Sequence, residues 1–432
     1  MRQDDKRNMS PQDALTACGE SEGLEDIARF WDESAAAMPG GLPCFLEESQ
    51  WRACREWTGF APGMDAILRR TVDKIAQSPA LRRLAWHGYW RVFLAPDACP
   101  PTGWPDFTAA LGDDGGVFYL LIGLGFIPLV RQWHAKLGIP EDITRETVSA
   151  ARCCCDDTHR NARNGLPGML QGQLGWMRHY TRERYFRIGR LEYWLAPYTW
   201  TEQVFRNRHT GEVVALAAHG TRFSAEGRVF GDAGNYRNGD GWTASFERPQ
   251  THVTGHLLHP NGYGTTHKVT LSLDDWECLL EKGVTTLQMH IPFGGHMPPD
   301  ACRDSVTRAK ALFARHFPDE PAVAITCGSW IFSPQLQACL PDTSNLVRFQ
   351  RELFLVPSPA HGSDGLWFVF LERGLPDFRT WPRKTRVQRA ILDYLEQGHV
   401  WGAGRMFFLL DDVPRFGQQV YRAAWPPSAL SS

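Results

Sequence analysis

The sequence predicts an α+β protein: an all-helical N-terminal domain, then a mixed α/β domain with a central, mostly antiparallel sheet and one parallel β-α-β crossover. Three observations carry this. Apolar residues recur with helical spacing, and almost no β-alternation is visible, before residue 180. From Arg184 onward, aromatic and β-branched runs separated by Gly, Asn and Asp replace that pattern. Between Thr285 and Gln335 the chain reads as strand TTLQMHIP, glycine turn, amphipathic helix, strand AVAITCGS. A unit of that length implies parallel strands joined by a right-handed crossover.

The predicted divisions are a disordered polar lead over 1–20, a helical domain over 21–165 and the α/β domain over 166–425. In the first, Leu24, Ile27, Ala28 and Trp31 recur at i, i+3, i+4, i+7, as do Leu81, Leu84, Ala85, Gly88 and Val92, and more weakly Ile143, Thr147, Ala151 and Cys155. Val117–Val130 is the longest apolar run, broken by Gly123, Gly125 and Pro128. It is shorter than the ~20 residues of a membrane span and reads as a buried helix or helix pair.

In the second domain, RYFRIGRLEYWL is strand-like. TEQVFRNRHTGEVVALAAHG predicts a hairpin turning at Thr210 and Gly211, and TRFSAEGRVFG another near Glu226 and Gly227. Gly231–Gly241 reads as loop, KVTLSL as strand, and DDWECLLEKG as a helical turn capped by Asp274. The crossover helix carries Cys302, Val306, Ala309, Phe313 and Phe317 on one stripe, with Pro299 at its start. NLVRFQRELFLV and LWFVFLE read as strands, RKTRVQRAILDYLEQG as a helix ended by Gly398, and RMFFLL as the last strand.

Of 432 residues, 43% are hydrophobic, 22% charged and 12% aromatic, with a formal charge of -2. This is globular composition without the basic excess of a nucleic-acid binder. Eleven cysteines, an odd number with no CxxC, read as reduced thiols of a cytoplasmic protein. The N-terminus has no apolar signal-peptide core. No dinucleotide fingerprint, Walker loop, kinase set or GxSxG elbow is present.

Ligands of doubly wound units sit beyond the carboxyl ends of the strands. There the sequence places His290 after the first strand, and Cys327, Ser329 and Trp330 after the second. His290 reads either as a general base, because imidazole titrates near neutrality, or as a histidine bonded to a loop carbonyl. Cys327 reads as a nucleophile paired with His290, a channel wall, or a buried thiol. Ser329 reads as a proton donor to a leaving thiolate or a turn cap, and Trp330 as pocket wall or core. Arg351, on the apolar face of the NLVRFQRELFLV strand, calls for a carboxylate partner, for which Glu192 is a candidate, or a bound anion. The run Arg379, Arg383, Lys384, Arg386, Arg389 reads as a solvated face or a phosphate contact. His252, His256, His259 and His267 raise a zinc reading, which their strand-like surroundings disfavour. Cys153, Cys155 and His159 read as packing or surface groups.

The segments RIGRLEYW (187–194), LQMHIPFGGHMPPDACRDS (287–305), AITCGSWIFSPQL (324–336), NLVRFQREL (345–353) and RKTRVQRAILDYLEQG (383–398) resemble a bacterial family of two-domain acyltransferase-like proteins. Their helical domain precedes one similar to the GCN5-related N-acetyltransferase (GNAT) fold. The resemblance implies transfer of an acyl group from a thioester, acyl-CoA as co-substrate, to an amine or similar acceptor. No permanently bound cofactor and no metal are implied. The pantetheine arm would lie between splayed strands 286–292 and 322–330. Backbone of the loop with Ile291, Phe293, Gly294 and Gly295 would hold the pyrophosphate, with Trp330 on the other wall. His290 would be the base, with Cys327 and Ser329 as the further catalytic candidates. The helical domain would shape the acceptor pocket. The loop lacks the fold's usual Q/R-x-x-G-x-G/A signature, and Pro298 and Pro299 remove two donors. Two other functions are a Cys–His hydrolase or covalent acyltransferase using Cys327, and a non-catalytic binding protein that has kept the fold. Nothing in the sequence sets the oligomeric state.

Overall fold

The computed structural model describes residues 9–95, 97–182, 184–231, 241–371, 378–423 and 425–430. Contacts divide the chain into two compact units, Met1–Ile188 with Ile291–Gly295, and Gly189–His290 with His296–Ser432.

The first unit is helical. Its longer helices are Glu48–Thr58, Met64–Gln77, Pro79–Tyr89, Gly115–Leu124, Phe126–Leu137, Glu141–Val148 and Leu174–Arg182. Their ends follow local chemistry. The Ser78 side chain accepts from the Leu81 N–H ahead of Pro79, and Gly59 and Gly138 close two helices with φ of 75° and 66°. Gly115–Leu124 is buried at every residue but Gly116 and forms the centre of the unit. Leu84, Val117, Leu120, Leu121 and Ile122 are fully buried, each contributing about 1.5–3 kcal/mol of transfer free energy. The apolar run is therefore a helix pair, divided at Gly125, where a Cβ would lie 2.3 Å from the Tyr89 ring. On length and composition alone, Thr108–Leu137 would cross a membrane, but 78% of its most apolar window is buried within the protein.

Three expectations for this half change. The lead is not disordered throughout: Ser10 caps a helix, Pro11–Ala17, that buries Ala14 and Leu15 completely, so two apolar side chains anchor it. Residues 1–8 lie outside the described residues. The Leu24–Trp31 stripe is split into helices Leu24–Ala28 and Trp31–Ala36 by Phe30, whose φ is 61°. The helical unit also runs past residue 165, through Leu174–Arg182 and a short strand β1 (Phe186–Ile188) that packs on Glu141–Val148.

The second unit carries two larger sheets and one two-stranded sheet. Their strands are β2 (Leu191–Pro197), β3 (Gln203–Asn207), β4 (Val213–Leu216), β5 (Arg222–Phe223), β6 (Trp242–Thr243), β7 (Phe246–Glu247), β8 (His252–His259), β9 (Tyr263–Ser272), β10 (Trp276–Leu280), β11 (Thr285–His290), β12 (Ala324–Ser329), β13 (Phe354–Val356) and β14 (Gly404–Leu409). One larger sheet runs β2-β11-β12-β14-β13, and only its β11–β12 pair is parallel. The other runs β10-β3-β4-β8-β7, with β9 also on β8, all antiparallel. The crossover helix, Pro299–His316, buries Cys302, Val306, Ala309 and Phe313. It is tied to β2 by a 3.0 Å hydrogen bond between the Tyr193 and Ser305 hydroxyls. The predicted hairpin turn is held by Asn207 Oδ1, which accepts from the His209 and Thr210 N–H groups, with Gly211 at φ 74°.

Three predicted elements take another form. Asn345–Glu352 is a helix, leaving only Phe354–Val356 as strand, because Gln, Arg and Glu favour helix and Val347 is the one β-branched residue there. Leu366–Phe370 is a helical turn that starts from Gly365 at φ 69° and is closed by the Leu371 N–H on Trp367 O. DDWECLLEKG holds strand β10, since Trp276 and Leu280 bury their side chains by pairing with β3. The predicted loop Gly231–Gly241 falls, but for its ends, outside the described residues.

Candidate active site

Register decides which side chains meet. Along β11 and β2, His290 faces Glu192 and Gln288 faces Trp194. Antiparallel partners project to the same face of the sheet. His290 Nδ1 and Glu192 Oε2 are 2.7 Å apart. The Glu192 side chain is 1% exposed and that of His290 is 30% exposed. A carboxylate only accepts, so Nδ1–H is the donor, and in the neutral ring Nε2 is then the acceptor nitrogen. A buried carboxylate behind an accessible imidazole orients the ring, fixes its tautomer and stabilises the imidazolium formed when Nε2 takes a proton.

Next to this dyad the sheet opens. β11 and β12 are registered only at Leu287↔Ile325 and Gln288↔Thr326. Past those pairs, β11 stays paired with β2 as far as His290, and β12 with β14 as far as Ser329. The two strands therefore part from each other while each keeps its outer neighbour. At the root of the opening, Gln288 Nε2 donates to Thr326 Oγ1 at 2.7 Å, and Thr326 Oγ1 donates to Thr286 Oγ1 at 3.3 Å. Beyond the root, Gly328 is exposed although its strand lies inside the sheet, and a Cβ there would meet nothing nearer than Arg405 Cγ at 3.6 Å.

The other predicted residues are placed as follows. Cys327 shares a face with Ile325 and hence with Leu287, opposite the face of Gln288 and His290. It is 5% exposed, and burial pushes its thiol up to about 12. The Cys327–His290 pairing required by a covalent mechanism is therefore absent: pleat parity puts sulfur and imidazole on opposite sides, and burial removes the thiolate. Ser329 caps a 3-10 turn by accepting from the Ile331 N–H. Trp330 packs at the edge of the cluster containing Leu336, Val347, Leu366 and Trp401, over Gly365, where no Cβ would fit. Ile291, Phe293, Gly294 and Gly295 belong to the first unit. There Gly294 and Gly295 have φ of 78° and 72°, and a Cβ on Gly294 would lie 2.2 Å from Asp157 Cγ. Burial raises the Asp157 carboxyl above its ordinary range.

Arg351 lies on a helix and pairs with Asp342 at 2.6 Å, so the apolar strand face and the Glu192 partnership both fall away. Arg383 pairs with Asp393 and Glu396, and Arg389 caps the Arg383 and Lys384 carbonyls, as in a solvated face. His256 Nδ1 accepts from the Ser245 N–H, and His259 stacks on Tyr263 with centroids 4.3 Å apart. Among the described residues no three His, Cys, Asp or Glu side chains are grouped to hold a metal. Cys155 is buried and accepts from the Gly168 N–H, His159 Nδ1 meets the Leu166 carbonyl, and Arg187 donates to Cys153 Sγ.

Sequence reasoning missed Glu192 as the partner of His290, the Gln288–Thr326–Thr286 ladder and the open position at Gly328. Parity within each strand was readable, but the register between them was not.

Residues 52–182 match the N-acyltransferase N-terminal domain family, and residues 185–408 match the GNAT-like C-terminal domain family. No curated protein matches the chain. Among solved structures, the chain resembles an acyltransferase mutant in complex with octanoyl-CoA, at 22% identity over 93% of this chain and 99% of that one, with a TM-score of 0.59. It also resembles an acyltransferase in complex with decanoyl-CoA and teicoplanin, at 22% identity over 93% and 100%, with a TM-score of 0.57. At such identity these likenesses establish the fold. With the C-terminal family match spanning more than half of its length and the N-terminal one preceding it, the chain belongs to the two-domain family that joins an N-acyltransferase N-terminal domain to a GNAT-like C-terminal domain.

Proposed function

We propose that this protein is an acyltransferase that moves an acyl group from acyl-CoA to an amine of a small-molecule acceptor by direct attack. The observation that carries the reading is the His290–Glu192 dyad at the mouth of the opening between β11 and β12. An opened parallel pair offers unpaired backbone groups to an extended amide-bearing arm, as an added strand would use them. The acyl-CoA complexes of the neighbouring structures support the donor class, and the teicoplanin complex supports a small-molecule acceptor. Eleven free cysteines support a reducing, cytoplasmic setting.

In this mechanism the acceptor nitrogen attacks the thioester carbonyl carbon. The C–N bond forms, the nitrogen's proton passes to His290 Nε2, and the C–S bond breaks. The departing thiolate takes up a proton from solvent and leaves as CoA, while His290 Nε2 gives its own proton back to solvent. Glu192 holds the imidazolium through Nδ1 throughout.

Thermal unfolding with CoA thioesters from acetyl to long chain tests the donor, since a ligand that binds only the native state raises the melting temperature. A rise selective for one acyl length is expected. Absence of a rise with every thioester overturns the proposal.

A further inference from the structure

The helical unit holds a second cleft, of about 470 Å³. That is within the ~300–1,000 Å³ range of small-molecule sites. Trp57, at the end of the helix Glu48–Thr58, lines it, and Pro128, Ala135 and Ile139 add apolar surface. Two guanidinium groups lie over the Trp57 ring, that of Arg131 at 4.0 Å and that of Arg145 at 4.2 Å from the centroid. They differ in what else they do. Arg145 is paired with Glu141 at 2.8 Å. Among the described residues, Arg131 has the Trp57 ring as its contact and no carboxylate partner. Stacking uses the π-face of a guanidinium and leaves its in-plane N–H donors for a planar oxyanion. Arg131 and Glu141 are the charged residues of the lining, and because Glu141 is paired with Arg145, the Arg131 charge is left for a ligand.

We propose that this cleft binds a small amphipathic carboxylate, its head on the Arg131 guanidinium and its aliphatic tail along Pro128, Ala135 and Ile139. The ring holds the guanidinium in place before the ligand arrives, which lowers the ordering cost of the charge-assisted pair. The proposal is independent of the acyl-transfer reading, because none of these residues belongs to the His290 site.

Isothermal titration of the full chain with octanoate, octylamine and acetate tests it. Octanoate should bind saturably, acetate far more weakly for want of a tail, and octylamine not at all. Arg131→Gln should weaken octanoate roughly tenfold or more, with Arg131→Lys between, since a point charge replaces the fork. Ala135→Phe, at an exposed helix position, should block the wall with Arg131 intact, and so serves if Arg131→Gln fails to fold. Equal binding of octanoate and octylamine, or octanoate binding unchanged in both Arg131→Gln and Ala135→Phe, overturns the proposal.

Discussion

Replacing Glu192 with Gln removes a charge while keeping the side-chain shape. The site is buried and meets His290 Nδ1 at 2.7 Å, so the change acts on that contact first. Two losses follow. In the proposed mechanism, the imidazolium formed as the acceptor gives up its proton loses an adjacent negative charge. Such a pair is worth about 4 kcal/mol at the effective dielectric of a protein surface and about 1 kcal/mol in water. With His290 30% exposed, a value between these, about 2–3 kcal/mol, applies, which is roughly 30- to 160-fold in rate. The second loss is tautomeric. A Gln amide donates as well as accepts, so it also supports the ring with hydrogen on Nε2, a form with no lone pair for the acceptor. The equivalent amide change in a Ser-His-Asp triad costs ~10⁴ in kcat for that reason.

The expected outcome is a kcat lowered by about 10²–10⁴, the range a positioned base contributes, with the thioester KM little changed. The assay follows release of CoA thiol in the presence of an amine acceptor, alongside the imidazole ¹⁵N shifts of His290. Wild type should show hydrogen on Nδ1, and Glu192→Gln a mixture. A kcat within about threefold of wild type, or a loss confined to KM, refutes the reasoning, since uniform binding and base catalysis separate in that way.

Three further outcomes are expected. Gly328→Leu meets no close neighbour and no positive φ, so it should keep the wild-type melting temperature but abolish the thioester-induced rise; an intact rise places the donor elsewhere. Cys327→Ala should keep kcat within about threefold while costing about 1–2 kcal/mol of stability through lost packing; an acyl adduct on the wild-type thiol by mass spectrometry contradicts this. His134, fully buried, is pushed by burial down to about 4. Its folded form therefore binds fewer protons than the unfolded chain, and the stability present above pH ~6.5 is lost as pH falls toward ~4, about 2 kcal/mol of it by pH 5. His134→Gln should remove that share of the slope in denaturant melts at pH 7 and 5, while His87, held down to about 2, contributes equally to both proteins. Equal slopes contradict the assignment.

What could be read from the sequence was local. The crossover showed because an 18-residue amphipathic helix lies between two short apolar runs, and His290 stood out as a polar residue ending one of them. Glu192 did not, because its meaning depends on a contact 98 residues away. Within RIGRLEYW it alternates with the buried Leu191 and Tyr193 like any residue of a half-covered strand. The misread helix Asn345–Glu352 shows the converse. Its buried residues include Val347 and Phe349, which satisfy a two-residue period, and also Gln350, which is buried because it donates to the Ile331 and Ser333 carbonyls. Those acceptors are tertiary and leave no mark on the local pattern.

The same register explains why one face of the sheet is polar and the other apolar. The Leu287–Ile325–Cys327 face is apolar and buried, and Tyr193 on that face bonds to the crossover helix. The opposite face carries Glu192, Trp194, Gln288, His290 and Thr326. Polar side chains in a sheet interior are costly unless paired. Here each pairing does something for the site: Gln288 and Thr326 close the root of the opening, and Glu192 orients His290 at its mouth. An apolar residue at 288 or 326 would remove the hydrogen bond at the last registered pair. The polar face thus places the last registered pair of the parallel strands next to the imidazole, and the proposed mechanism requires the thioester at that point for His290 to receive the acceptor's proton.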